Sequence, residues 1–276
     1  MYKIIRKTAA YVLAAMMFSI LLTGCAGAEN SAADSSEKDT LYQVSTLNAL
    51  MLGNYDGVIS CSELLSHGDT GVGTFDALNG EMIVLDGTVY QAKEDGSVAI
   101  VNGDVTTPFA EVAFFDADFV LEDLTQIEDM DALKTFLTDS ILDEMDNPNM
   151  FFMAKIPGNF KQILVRSEAA QSKPYAPLAE VLKGQTEYVY EDLSGTIVAL
   201  YCPDYINGLG LAGWHFHFIS EDHSKGGHVL DVSLTSGEAQ IDLISGFHML
   251  LPQDEAFAEL ELAQDMSEKT NAVEGK

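Results

Sequence analysis

Residues 81–103 read EMIVLDGTVYQAKEDGSVAIVNG. Short β-rich runs are separated by Asp86-Gly87, Asp95-Gly96 and Asn102-Gly103, dipeptides that tolerate the positive φ of hairpin turns. The stretch predicts an antiparallel meander. Outward from it, strand-like runs recur through residues 150–167, 185–201, 211–220, 228–235 and 238–244. One helical face interrupts them: Met130, Leu133, Leu137, Ile141 and Met145 follow an Asp-rich start and stop at Asn147-Pro148. Strands dominate both halves, and the few helices fall between them without strict alternation. The expected class is therefore α+β, with mixed or antiparallel sheets in two closely packed halves, rather than a doubly wound parallel sheet. No repeat of fixed period is present.

The chain has 276 residues, 47% hydrophobic and 21% charged, which suits a folded core and excludes a wholly disordered or fibrous protein. Its 43 acids against 14 bases give a net charge of -29. Phosphate backbones and anionic lipid surfaces need clustered Lys and Arg, so nucleic acid is not an expected partner. The acids of residues 122–146 lack EF-hand spacing and read as the solvated face of the helix. Three cysteines without a CxxC pair do not make a disulfide-built fold or a thiolate metal site. Cys61 and Cys202 can pair in an oxidising compartment or stay as buried thiols.

Lys3, Arg6 and Lys7 precede an uncharged run from Ala9 to Leu22, the order of a secretory signal, and one short for a spanning helix. The run ends in Leu22-Thr23-Gly24-Cys25, which resembles the lipobox of bacterial lipoproteins. That resemblance implies removal of residues 1–24, lipidation of Cys25 and attachment to the outer face of the cytoplasmic membrane; an ordinary cleaved signal would leave the protein secreted. Residues 25–40 hold almost no large apolar side chains and read as a flexible tether. The folded domain is expected over residues 41–276, dividing near residue 165. The acidic chain after Pro252 reads as a fraying end.

Residues 213–228, GWHFHFISEDHSKGGH, hold three histidines of interest. On a strand, His215 and His217 share a face while Phe216 and Phe218 take the other. Turn residues 222–227 fold the chain back and bring His228 beside the pair, so one hairpin of the C-terminal half offers three imidazoles to one ion. Three nitrogens with an open position suit catalytic zinc, although nickel, iron and manganese fit the residue types too. His223 falls at the turn tip, and His67 and His248 lack a same-face partner.

With GTFDALNGEMIVLDGTVYQ at 73–91 and VRSEAAQSKPYAPL at 165–178, the histidine segment resembles the alpha-acetolactate decarboxylases of bacterial acetoin formation. The resemblance implies zinc held by His215, His217 and His228, catalytic roles for Glu81, Arg166 and Glu274, and a substrate pocket that includes Thr74 and Leu78. It implies decarboxylation of 2-acetolactate to acetoin, with zinc chelating the keto and hydroxyl oxygens and a pocket glutamate, Glu81 or Glu274, protonating the enediolate. It also implies a homodimer. By spacing alone Glu81 is a water-facing strand residue, and two other readings stay open: a non-catalytic zinc-binding lipoprotein and a zinc hydrolase.

Overall fold

The computed structural model describes residues 38–273. The leader, Cys25 and Glu274 lie outside the described residues. The strands in chain order are β1 (Thr40–Val44), β2 (Ile59–Ser60), β3 (Thr70–Thr74), β4 (Glu81–Leu85), β5 (Thr88–Ala92), β6 (Val98–Ile100), β7 (Thr106–Thr107), β8 (Ala110–Ala113), β9 (Phe119–Ile127), β10 (Phe151–Ser167), β11 (Thr186–Cys202), β12 (Gly213–Ser220), β13 (Gly226–Ile244) and β14 (Gly246–Leu250). The α-helices are α1 (Leu47–Met51), α2 (Cys61–Leu64), α3 (Met130–Met145), α4 (Leu178–Val181), α5 (Glu255–Ala258) and α6 (Ser267–Val273). A mostly-sheet architecture with few helices is thus present.

A seven-stranded sheet runs in the order β14-β1-β8-β3-β4-β5-β6, and a five-stranded sheet in the order β10-β11-β12-β13-β9. The first is mixed, because β1 pairs β14 in parallel whereas the remaining pairs are antiparallel. In the second, β10 also pairs with β13, so the sheet closes on itself. Residues 114–118 link the two sheets, and residue 165 lies inside β10.

The meander of residues 81–103 forms β4, β5 and β6. Asp86 and Gly87, with φ of 48° and 75°, make the two-residue turn that sets Leu85 opposite Thr88. Asn102-Gly103 does not reverse the chain into another partner of β6. That strand is the sheet edge, and the chain moves on to β7, which pairs with β2. The helix α3 spans the expected residues, capped by Asp129 accepting from the Ala132 N–H and ended by Asp146 in the left-handed region. Its Met130, Leu133, Leu137 and Ile141 are buried against the five-stranded sheet.

Strand alternation sorts the faces. In β12, Trp214, Phe216 and Phe218 enter the core shared with α3, while Ile219, in phase with His215 and His217, packs with Val198 against Val72, Ile83, Tyr90 and Ala92 of the seven-stranded sheet. A slip of one residue would exchange phenyl rings for imidazoles, and each buried phenyl is worth about 1.5–3 kcal/mol, so the register is strongly held. Cys61 and Cys202 are buried thiols in different apolar clusters, and burial pushes the Cys61 thiol up to about 11.

The acidic segment after Pro252 is tied down rather than frayed. Met266 is buried with Leu47, Leu50 and Leu211. Asn48 donates through Nδ2 to the carbonyls of Leu262 and Gln264, at 2.9 and 3.2 Å, and Asn207 donates to Ser267 Oγ at 2.8 Å. The apolar contacts of Met266 and Val273, the buried amide of Asn48 and the exposed one of Asn207 hold a segment whose composition points to solvent.

Candidate metal centre and active site

His217 on β12 stands directly opposite His228 on β13. The close approach of β13 to β10 depends on Gly227, whose φ is +150° and whose Cβ, if present, would lie 2.6 Å from the Arg166 carbonyl oxygen. His215 Nε2 lies 3.1 Å from His217 Nε2 and 3.1 Å from His228 Nδ1. Ligand bonds of 2.0–2.1 Å in a tetrahedron give an edge of about 3.3 Å, so these separations suit one shared ion. All three ligand atoms lie within 4.8 Å of one another.

The outer partners favour the same use. His217 Nδ1 lies 2.8 Å from the Met82 carbonyl oxygen on β4. A carbonyl can only accept, so the proton sits on Nδ1 and the Nε2 lone pair faces the other imidazoles. Burial holds the His228 imidazole well below its usual range, and the Arg166 charge and the other two histidines act in the same direction. A neutral imidazole is the form that binds a metal.

The seven-stranded sheet supplies the facing wall. Glu81 opens β4 opposite Thr74 of β3 and is buried at 7% exposure, not turned to water as its spacing suggests. Its Oε2 lies 3.5 Å from His217 Nε2 and its Oε1 3.9 Å from Arg166 Nε. Thr74 Oγ1 donates to the Gly80 carbonyl at 2.8 Å and shapes the turn before Glu81. Ala77 and Leu78 both have positive φ, 60° and 56°, a conformation costing of order 1–3 kcal/mol per residue. It is held by Ala77 donating to the Tyr55 carbonyl and accepting from Gln171, at 2.8 and 2.7 Å, and it turns Leu78 into the cavity wall.

Arg166 lies near the end of β10, opposite His228. Its Nη1 donates to the Val273 carbonyl of α6, and its Nε lies 3.5 Å from Glu168 Oε1. Glu168 was not singled out by its sequence position. The available signal was its i, i+2 spacing from an arginine at a strand end, a weak one. The three histidines, Glu81, Arg166, Glu168, Thr74 and Leu78 line one small cavity of about 50 Å³, whose remaining wall includes Leu47, Phe109, Leu178 and Leu211. The arrangement can hold one cation, place a guanidinium and a carboxyl group beside it, and keep most water out.

The other histidines are elsewhere. His223 sits at the hairpin tip, 3.3 Å from the Tyr90 hydroxyl, and His67 stacks on Tyr42 at 3.8 Å. His248 meets the edge of the same Tyr42 ring. A larger open cleft across Gly158, Gly195 and Gly237 is rimmed by Glu122, Asp123, Glu221 and Glu238. Four carboxylates disfavour an anionic ligand, so size does not locate the site.

Comparison with known proteins agrees with this geometry. The sequence profile of the alpha-acetolactate decarboxylase family matches residues 41–264. An alpha-acetolactate decarboxylase of Methanosarcina mazei is 44% identical over 89% of this chain and 84% of its own. One of Lactococcus lactis subsp. cremoris is 40% identical over 80% of this chain and 92% of its own. The crystal structure of alpha-acetolactate decarboxylase from Bacillus subtilis strain 168 superposes with a TM-score of 0.81 at 32% identity, covering 86% of this chain and all of that one. By sequence over most of its length, and by fold, the chain belongs to the alpha-acetolactate decarboxylase family.

Proposed function

We propose that this protein is a carboxy-lyase that converts 2-acetolactate to acetoin and carbon dioxide, with zinc as its metal. The observation that carries the reading is the convergence of three imidazole nitrogens, Glu81 and Arg166 in one largely apolar cavity. Zinc held by His215, His217 and His228 would supply Lewis acidity toward the substrate ketone.

The chain's own groups do the rest. Arg166 is a fixed, planar cation 4% exposed, suited to receive the substrate carboxylate in two parallel hydrogen bonds. Breaking the bond to the carboxylate sends its electron pair toward the ketone, leaving an enediolate that needs one proton on carbon. Glu81, between His217 and Arg166, stands where a carboxyl group can deliver that proton to one face. The leucines and Phe109 exclude bulk water, which would otherwise solvate the carboxylate and compete for protonation.

Acetoin release from racemic acetolactate, before and after chelation and zinc restoration, tests the reading. Zinc-dependent acetoin is the expected result. Stoichiometric zinc without acetoin would instead support a metal-binding lipoprotein. For location, the Leu22-Thr23-Gly24-Cys25 pattern supports a lipid anchor at Cys25, and radiolabelled palmitate incorporation lost in Cys25→Ser is the corresponding check. A homodimer is supported by family resemblance alone and is read by sedimentation.

A further inference from the structure

Glu168 takes no part in the reaction derived above, yet it is one of the most buried charged groups of the described residues, at 3% exposure. It lines the cavity with the histidines, Glu81 and Arg166. Burying a carboxylate costs several kcal/mol unless a cation and hydrogen bonds compensate it. The cation here is Arg166, whose Nε is 3.5 Å from Glu168 Oε1 and 3.9 Å from Glu81 Oε1. One guanidinium is therefore shared by two buried carboxylates, and the nearer is not the one facing His217. Arg166 Nη1 is directed to the Val273 carbonyl. Because a guanidinium is planar, holding its Nε edge and one terminal nitrogen fixes the whole plane. Without Glu168, the strong short-range attraction of a weakly solvated cavity would act between Arg166 and Glu81 alone.

We propose that Glu168 is a positioning residue: it holds the Nε edge of Arg166 back from Glu81, keeps the guanidinium plane set for the substrate carboxylate, and leaves Glu81 on the histidine side of the cavity. The Tyr55 phenol beside it is committed elsewhere, donating to the Ala176 carbonyl at 2.9 Å, so it does not replace the arginine as the partner of Glu168. The inference rests on the decarboxylase reading of the site.

Glu168→Gln keeps the shape and removes the charge. KM for acetolactate is expected to rise about tenfold, as misplacing a binding group does, with a smaller fall in kcat and unchanged zinc content. Calorimetric binding of 2-hydroxy-2-methylpropanoate, which has a hydroxy-carboxylate but no ketone and is not turned over, should weaken by a similar factor. Glu168→Asp should restore part of both. A Gln variant with wild-type KM and wild-type binding overturns the inference, as does a lowered Tm with KM unchanged. If Glu168→Gln does not fold, Glu168→Asp decides: raised KM at unchanged zinc content supports the role, and unchanged KM overturns it. Wild-type protein runs alongside. Absence of acetoin there sinks the decarboxylase reading itself, whereas a normal wild type with indifferent Glu168 variants sinks only the role of Glu168.

Discussion

Buried carboxylates occur in two regions of this protein under opposite conditions. In the cavity, Glu81 and Glu168 face Arg166 and the histidines. Near the far end of β13, Asp242 is 1% exposed and its charged neighbours are Asp39, Asp116 and Asp118. Lys38 reaches Asp116 only at the surface, at 3.6 Å. Burial foremost, partly opposed by the Asp116 N–H and reinforced by the three acids, pushes Asp242 up to about 7. An acid buried beside a cation has a partner that offsets the desolvation cost of its charged form. One buried among other acids takes up a proton near neutrality, and here it accepts a hydrogen bond from the segment linking the two sheets. The difference lies in the partners, since burial is equally deep.

Removing the cation should break this contrast most severely. Arg166→Ala leaves two buried carboxylates without their guanidinium, so stability should fall by about 3–5 kcal/mol. Activity should fall by at least about 100-fold, as for loss of a preorganised charge partner, with zinc retained. Denaturant unfolding, steady-state kinetics and metal analysis together check it, and full activity would remove Arg166 as the carboxylate handle.

The next effect concerns the histidine side. His228→Ala should weaken zinc binding by at least about 100-fold, more than loss of an outer hydrogen-bond partner does. Competition with a chromogenic chelator measures this, and metal content must be read with Tm because metal binding and folding are linked.

Asp242 gives a smaller change of opposite sign. Its folded pKa of about 7 lies above the ordinary aspartate value of 3.8, so between these limits the native state holds a proton that the unfolded chain has released. Its contribution to stability is full below the lower limit, declines as pH rises, and is lost above about 7. Asp242→Asn keeps an acceptor for the Asp116 N–H and should stabilise the protein by roughly 1–3 kcal/mol at pH 8. The gain should vanish near pH 4 in urea titrations, whereas a pH-independent gain would refute the assignment.

The smallest effect sharpens the boundary of the site. His223 shares the histidine hairpin but bonds Tyr90 rather than the other imidazoles. His223→Ala should change stability by no more than about 0.5 kcal/mol and leave zinc content unaltered.

Much of the site was legible because it is local. HxH on an alternating strand, a Gly-Gly return and a third histidine specify their own juxtaposition within sixteen residues. Glu81 and Arg166 were legible only through family resemblance, since nothing in their spacing relates residue 81 to residue 217. Glu168 was missed because its significance arises from the arginine it faces and from a wall built by α1, α4 and the segment before β12.

The alternation of apolar residues, the Asp-Gly turns and the helical stripe of α3 by themselves determined where strands and helix lie and which face of β12 carries imidazoles. Those patterns act over a few residues, through backbone geometry and the burial of neighbouring side chains. Only the tertiary structure decided that β10 closes onto β13, that the face of β12 bearing His217 meets the edge of β4 bearing Glu81, and that the acidic C-terminal segment packs beside Arg166. A periodic pattern says that a face must be covered. What covers it depends on long-range packing, and so does whether a buried acid meets a cation, as Glu81 and Glu168 do, or only other acids, as Asp242 does.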